Sequence, residues 1–296
     1  MPMTTTRTRF RIIAFVLAVL VAAPSGADSD TVFARVSLDD EERPRALQMS
    51  VVTYEPADGK ELLSVDLVGA IHIGDPSYYA ELNERFQEYD VVLYELVAPQ
   101  DATISGGLEK RKGILSTTQV GMTKLLDLSF QLDEINYDQA NFVHADLSPD
   151  ELRQSMADRG ESLYVYFWRI FFASLDEYAK DPLGLQDLQM LSTMVTSDQD
   201  DSLKTMIAYE MTNIGQVQDI LGEDSDSAVI GARNQRAIDV LKREIDTGAK
   251  RIGIFYGVAH MPDLEERLLD QLGLQYASTE WVDAWRLGGE TADDTE

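Results

Sequence analysis

Apolar and polar positions mark out the elements of this chain. Met49 to Tyr54 is rich in β-formers, and Leu62 to Ile71 is a mostly apolar run. The turn residues Ala57-Asp58-Gly59-Lys60 between them predict a hairpin that pairs Val51–Tyr54 with Leu62–Val68. Asp75-Pro76 starts a helix to about Tyr89, with Asp75 as N-cap and Pro76 at the first helical position. Val91 to Leu96 is a continuous apolar run, as a strand buried on both faces should be. Its strand is expected beside the Leu62–Ile71 strand, in a βαβ unit.

Residues 101–113 are Gly- and charge-rich and read as a loop, and Ile114 to about Asp127 as a helix. Asn141-Phe142-Val143 is a short strand, and Ser148-Pro149-Asp150-Glu151 is a capping box. A helical pattern continues to about Leu221. Within it, Leu163 to Phe172 is too short to span a bilayer and is broken by Arg169, so it reads as a buried helix. After an acidic loop at 222–227, Ala228 to Thr247 is a helix closed by Gly248. Arg251–Tyr256, Pro262–Leu272 and Leu274–Ser278 then read as strand, helix and strand, a second βαβ unit. Trp281 and Trp285 follow it and are expected in the core.

The expected fold class is α/β: a sheet core built from two similar βαβ pieces, with a large helical insertion at about 114–221 suited to a lid. Residues 28–48 are polar and read as a flexible lead-in, 49–280 as one domain, and 281–296 as a C-terminal segment with an acidic tail.

Composition narrows the chemistry. With 296 residues, 44% hydrophobic and 26% charged, the chain is in the globular range, which excludes global disorder. It carries 52 acidic residues against 25 basic ones. A net charge of -27 argues against nucleic acid as a partner, because a phosphate backbone needs clustered Lys and Arg. It argues equally against an anionic membrane surface. The absence of cysteine excludes disulfides, thiolate nucleophiles, Cys zinc sites and iron–sulfur clusters. Arg7, Arg9 and Arg11, the apolar run Ile12–Ala23 and Ser25-Gly26-Ala27 have the layout of a secretory signal peptide over residues 1–27, cut after Ala27. Its removal takes three Arg and no acid, leaving 22 basic and 52 acidic residues, a net -30. The expected location is secreted or periplasmic, with no membrane span after cleavage.

The two α/β pieces carry matching motifs. The first reads Val68-Gly69-Ala70-Ile71-His72 before Pro76; the second reads Tyr256-Gly257-Val258-Ala259-His260 before Pro262. Each is a strand, a G-x-x-H and a Pro-started helix, and ligands in open α/β sheets bind beyond the carboxyl ends of strands. His144, the third of three histidines, also follows a strand and precedes a helix. Glu95 ends an apolar strand, where a carboxylate needs a partner, a metal or a proton. Neutral imidazoles with a carboxylate suit a divalent transition metal, and a three-ligand site with an open position activates water. The candidate metal ligands are therefore His72, His260, Glu95 and His144. Arg233-Asn234, on the late helix, is suited to holding a substrate carboxylate or a developing oxyanion.

The first G-x-x-H, a Glu in the next strand, an Arg-Asn pair on a late helix and a second G-x-x-H together resemble the Tiki/TraB/GumN superfamily. Its wider relatives include the erythromycin esterase-like and ChaN-like proteins. The resemblance covers about residues 49–280. It implies an α/β core with a helical insertion and a metal-dependent peptidase that uses manganese or cobalt without an H-E-x-x-H helix. Zinc has a similar ligand preference. His72 and His260 then match the family histidines, Glu95 its carboxylate, and Arg233 and Asn234 its Arg-Asn/Asp pair; His144 matches no motif.

The leading expectation is an exported metal-dependent hydrolase, a peptidase, acting on a peptide or small-molecule substrate. Two alternatives stand beside it. One is a metal-free esterase-like hydrolase that uses His and Glu. The other is a non-catalytic haem or metal-binding protein, with Tyr78, Tyr79, Tyr94 or Tyr256 as an oxygen ligand.

Overall fold

The long strand β2 (Pro44–Pro56) organises half of the sheet in this computed structural model, which describes residues 31–57, 59, 62–98, 128–161, 199–212 and 227–287. One edge of β2 pairs with β9 (Leu274–Arg286) from Ala46 to Pro56. A strand has only two edges, so β1 (Ala34–Leu38) and β3 (Ser64–Ala70) share the other. β1 takes Pro44–Met49 and β3 takes Val51–Tyr54, both antiparallel. The β2–β3 hairpin is the one expected from the sequence.

β1 and the first part of β2 lie in the stretch read as a lead-in, and the acidic run there is their turn. Asp39 Oδ1 accepts from the backbone N–H groups of Glu41 and Arg43, both at 2.9 Å, and Glu42 adopts φ 60°. The charges that suggested a loose segment are turn chemistry.

β3 pairs parallel with β8 (Arg251–Gly257), β8 with β5 (Val91–Tyr94), and β5 with β7 (Phe142–His144). The result is a mixed seven-stranded sheet with four neighbouring parallel strands. This corrects the expected neighbours. The strand leading to Glu95 does not lie beside the His72 strand, because β8 is inserted between them. β9 in turn pairs with β2 and not with β8. The two strands that lead into G-x-x-H are adjacent, with Gly69 opposite Tyr256 and Ala70 opposite Gly257. A short pair, β4 (Ile73–Gly74) with β6 (Ser129–Phe130), was not expected; the four-residue helix α2 (Gln131–Glu134) follows it.

Both faces of the sheet are covered. α1 (Pro76–Phe86) buries Tyr78, Tyr79, Leu82 and Phe86 on one face, where Ala208 of α4 (Gln199–Thr212) also packs. Asp75 stands at the N-cap of α1, but its carboxylate makes no cap bond. It turns away to accept from Arg286 N at 2.6 Å, with Lys204 Nζ at 3.4 Å. α3 (Pro149–Asp158) begins with the expected reciprocal capping box of Ser148 and Glu151. The expected unbroken helical pattern is interrupted after Asp158, where Gly160 has φ 66°, and α4 lies within the same expected stretch. On the other face, α5 (Gly231–Asp246) buries Ala237, Ile238 and Leu241, and α6 (Met261–Leu272) buries Met261, Leu264 and Leu268. α5 starts later than expected because Ser227 Oγ accepts from Ile230 N at 3.1 Å and Gly231 N at 3.4 Å.

β9 runs eight residues past its expected end at Ser278. Trp285 is fully buried and donates its Nε1–H to the Ile73 carbonyl at 2.7 Å; Trp281 is half-buried under the Arg35 guanidinium, 4.0 Å from the ring centre. Ladder bonds to β2 and these two side chains hold the extension. Residues 1–30, the helix expected at 114–127 and the apolar run 163–172 lie outside the described residues. Among the described residues, no helix is long and apolar enough to cross a membrane.

Candidate active site

Four parallel strands end at one edge of the sheet, and a polar residue follows each: His72 after β3, His260 after β8, Glu95 after β5 and Asp146 after β7. This is the edge where open α/β sheets place ligands. The half-buried Glu95 forms a cluster there with the buried Arg233, Asn234, His260 and Asp146.

Arg233, from the first turn of α5, is its hub. Its Nη2 donates to Glu95 Oε1 at 2.6 Å and to Asp146 Oδ2 at 2.6 Å, and its Nε donates to Asp146 Oδ1 at 2.9 Å. The fork fits the Asp146 carboxylate with two parallel bonds. Burial alone would lower the Arg233 pKa, but its bonds to Asp146 and its attraction to Glu95 outweigh this and raise it. Arg233 Nη1 lies 3.4 Å from His260 Nε2.

Glu95 leaves the sheet beyond Tyr94 and turns back onto β8. Its Oε2 accepts from Gly257 N at 2.6 Å. A Cβ on Gly257 would lie 3.1 Å from that oxygen, so the glycine of the second G-x-x-H leaves room for this carboxylate. The glycine of the first motif has a different neighbour: a Cβ on Gly69 would meet the Ser50 carbonyl at 3.4 Å. Burial pushes the Glu95 carboxyl up, but His260, Arg233, His72 and the Gly257 N–H favour the charged form and hold it at about 2. His260 is neutral at pH 7, so Arg233 and Gly257 keep Glu95 ionised there.

His260 ends the single 3₁₀ turn Val258–His260 and is buried. Burial pulls its pKa down to about 4; Glu95 opposes the shift and Arg233 adds to it. Its Nδ1 is 2.6 Å from Asn234 Oδ1, and its Nε2 is 3.7 Å from Glu95 Oε1. Asn234 is fully buried, and its Nδ2 donates to the His260 carbonyl at 3.1 Å and Asp263 Oδ2 at 2.7 Å. The sequence suggested a substrate contact for Asn234; the fold turns its amide onto His260.

His72 is exposed and is one of the groups that favour the charged form of Glu95. Its Nδ1 is 3.1 Å from Gln131 Oε1. His144 is not part of the cluster. Its Nε2 donates to the Leu96 carbonyl at 2.6 Å, and its ring lies beside Tyr94, centroids 5.6 Å apart. The residue that β7 contributes is Asp146, two positions on. No sequence signal singled it out from 52 acidic residues. Gln131 was missed as well, because its approach to His72 depends on the β4–β6 pairing.

The donor types suit a divalent metal, since the imidazole of His260 is neutral and Glu95 is ionised. Among the described residues, no group of three or more His, Asp or Glu side chains is placed to hold a metal ion. The Arg233 guanidinium also lies against Glu95 Oε1 and His260 Nε2, the atoms that would ligate. Tyr256 Oη, offered from the sequence as a haem ligand, donates to the Ala145 carbonyl at 2.6 Å, and Tyr78 and Tyr79 donate to Gly69 O at 2.9 Å and Ile71 O at 3.0 Å.

Comparison of the chain with protein-family models, with curated proteins and with solved structures found no match, so the resemblance described above rests on its motifs alone.

Proposed function

We propose that this chain is an exported hydrolase that cleaves a carbonyl substrate, a peptide or an ester, with water activated beside Glu95, His260 and His72. One observation carries the reading: an ionised carboxylate, a neutral imidazole and an arginine converge where parallel strands end. His260 is neutral above about pH 4, and its Nε2 faces the Arg233 N–H group at 3.4 Å. Its low pKa makes it a poor proton store at pH 7. His72, at the solvent edge, is the group that takes the proton as water adds to the carbonyl carbon. Arg233 faces the oxygen on which negative charge develops, and the buried setting strengthens that attraction. Collapse of the adduct expels the leaving group, which recovers the proton from His72. The same proposal includes the finer view of the fold, two similar G-x-x-H pieces around a helical insertion at about 114–221.

The resemblance to the Tiki group favours a metal-dependent version, in which manganese, cobalt or zinc would supply Lewis-acid activation. The deciding experiment pairs elemental analysis with peptide- and ester-library cleavage, before and after chelation, on wild type, His72→Ala and His260→Ala. Cleavage that survives chelation and is lost in both variants supports the site as described. Stoichiometric metal that disappears in both variants replaces it with the metal-dependent reading. A folded protein that cleaves nothing in either state sinks the hydrolase reading.

A further inference from the structure

Both G-x-x-H histidines meet the oxygen of a side-chain amide through Nδ1. For His260 the geometry leaves no choice. Asn234 Nδ2 is bonded to a carbonyl and to a carboxylate, His260 O and Asp263 Oδ2, and both only accept. The Asn234 amide therefore cannot be flipped, and its Oδ1 is the atom 2.6 Å from His260 Nδ1. That nitrogen must carry the proton. Nε2 is then the lone-pair nitrogen, in keeping with the Arg233 N–H group that faces it at 3.4 Å.

His72 repeats the arrangement on a different element. Gln131 is buried; its Nε2 donates to Tyr137 Oη at 2.8 Å and its Oε1 lies 3.1 Å from His72 Nδ1. Its backbone N–H also donates to the His72 carbonyl at 2.9 Å, which ties the two residues by main chain and side chain. His144 is the opposite case. Its Nε2 faces the Leu96 carbonyl, which only accepts, so in the neutral ring the proton is on Nε2.

We propose that Gln131 and Asn234 are matched positioning residues that hold His72 and His260 in one tautomer, with the proton on Nδ1 and the lone pair on Nε2, while His144 takes the other. The hydrogen bond at one ring nitrogen decides which nitrogen is left to work. The inference rests on the proposed hydrolase only in taking Nε2 as the working atom. Neither amide touches substrate; each acts through its histidine.

The test is the long-range proton–nitrogen NMR spectrum of the ¹⁵N-labelled protein at pH 7.5. Three histidines make it fully assignable with His72→Ala and His144→Gln as references. The expected wild-type spectrum has two rings protonated at Nδ1 and one at Nε2. Gln131→Leu should move His72 alone to the Nε2-protonated or mixed pattern and lower kcat/KM by about 10-fold, a part of what a proton-transferring histidine contributes. Gln131→Glu, which restores an acceptor, should return His72 to the wild-type pattern. Asn234→Leu, which removes the acceptor, should move His260 as Gln131→Leu moves His72.

A wild-type spectrum with His72 or His260 protonated at Nε2, or a His72 pattern indifferent to Gln131→Leu, overturns the proposal. The spectrum needs no substrate. The expected tautomers in a protein that hydrolyses nothing would sink the hydrolase and leave this inference standing; hydrolysis with the wrong tautomers would do the reverse.

Discussion

Replacing His260 by Gln removes a ring that the fold keeps uncharged. The residue is 4% exposed, and burial is the largest cause of the fall of its pKa from 6.5 to about 4. The unfolded chain takes up this proton below pH 6.5, the folded chain only below about pH 4. Between those values the unfolded state binds more protons, so stability rises with pH. The contribution is complete above pH 6.5 and is lost as the pH falls toward 4. At about 1.4 kcal/mol per pH unit the whole window is worth about 3 kcal/mol, of which about 2 kcal/mol is lost between pH 7.5 and 5. The assay is urea denaturation across that range for wild type and His260→Gln. The other titrating groups are common to both, so their difference isolates His260. The variant should start less stable at pH 7.5, having lost packing and a hydrogen bond, and the gap should close by about 2 kcal/mol at pH 5. Parallel curves would refute the reasoning, since they would mean that the ring is hydrated or already charged in the folded protein.

Three further substitutions separate the parts of the site. Gly257→Ala places a methyl group against Glu95 Oε2 and should cost about 10-fold in kcat/KM by shifting the carboxylate. Gly69→Ala meets its neighbour at ordinary contact distance and should change kcat/KM by less than about 2-fold; equal effects would undo the distinction between the two motifs. Asp146→Ala takes both bonds of the fork from Arg233 and should cost about 3–5 kcal/mol in denaturation, because a buried charge is left with one partner. A loss under about 1 kcal/mol would mean that water readily replaces the carboxylate.

Much of the candidate site was legible because its residues sit in local patterns. His72 and His260 stand out by the repeated G-x-x-H, and Glu95 by ending an apolar strand. Arg233 and Asn234 follow from the same family likeness, and the fold brings them to Glu95 and His260. Their division of labour was not legible. One helical turn carries both residues, yet Arg233 reaches the carboxylates while Asn234 turns inward to His260. That depends on how α5 is rotated against β8 and α6. His144 drew attention as a rare residue at a strand end, and the fold used Asp146 instead, on chemistry that 52 acidic residues conceal.

The sequence by itself determined the local framework. The β2–β3 hairpin, the Ser148 capping box, the Pro-started α1 and α6 and the exclusion of thiol chemistry follow from signals within a few residues, whose periods of 2 and 3.6 need no distant partner. Only the tertiary structure decided which strands are neighbours. Ser64–Ala70 pairs with Arg251–Gly257 across most of the chain, and this pairing inserts β8 between β3 and β5. It follows from burying both faces of the parallel strands under helices, a property of the whole assembly that no local window contains. The site inherits that dependence: Glu95 meets Gly257, His260 and Arg233 because β8 lies beside β5, not because any motif spaces them.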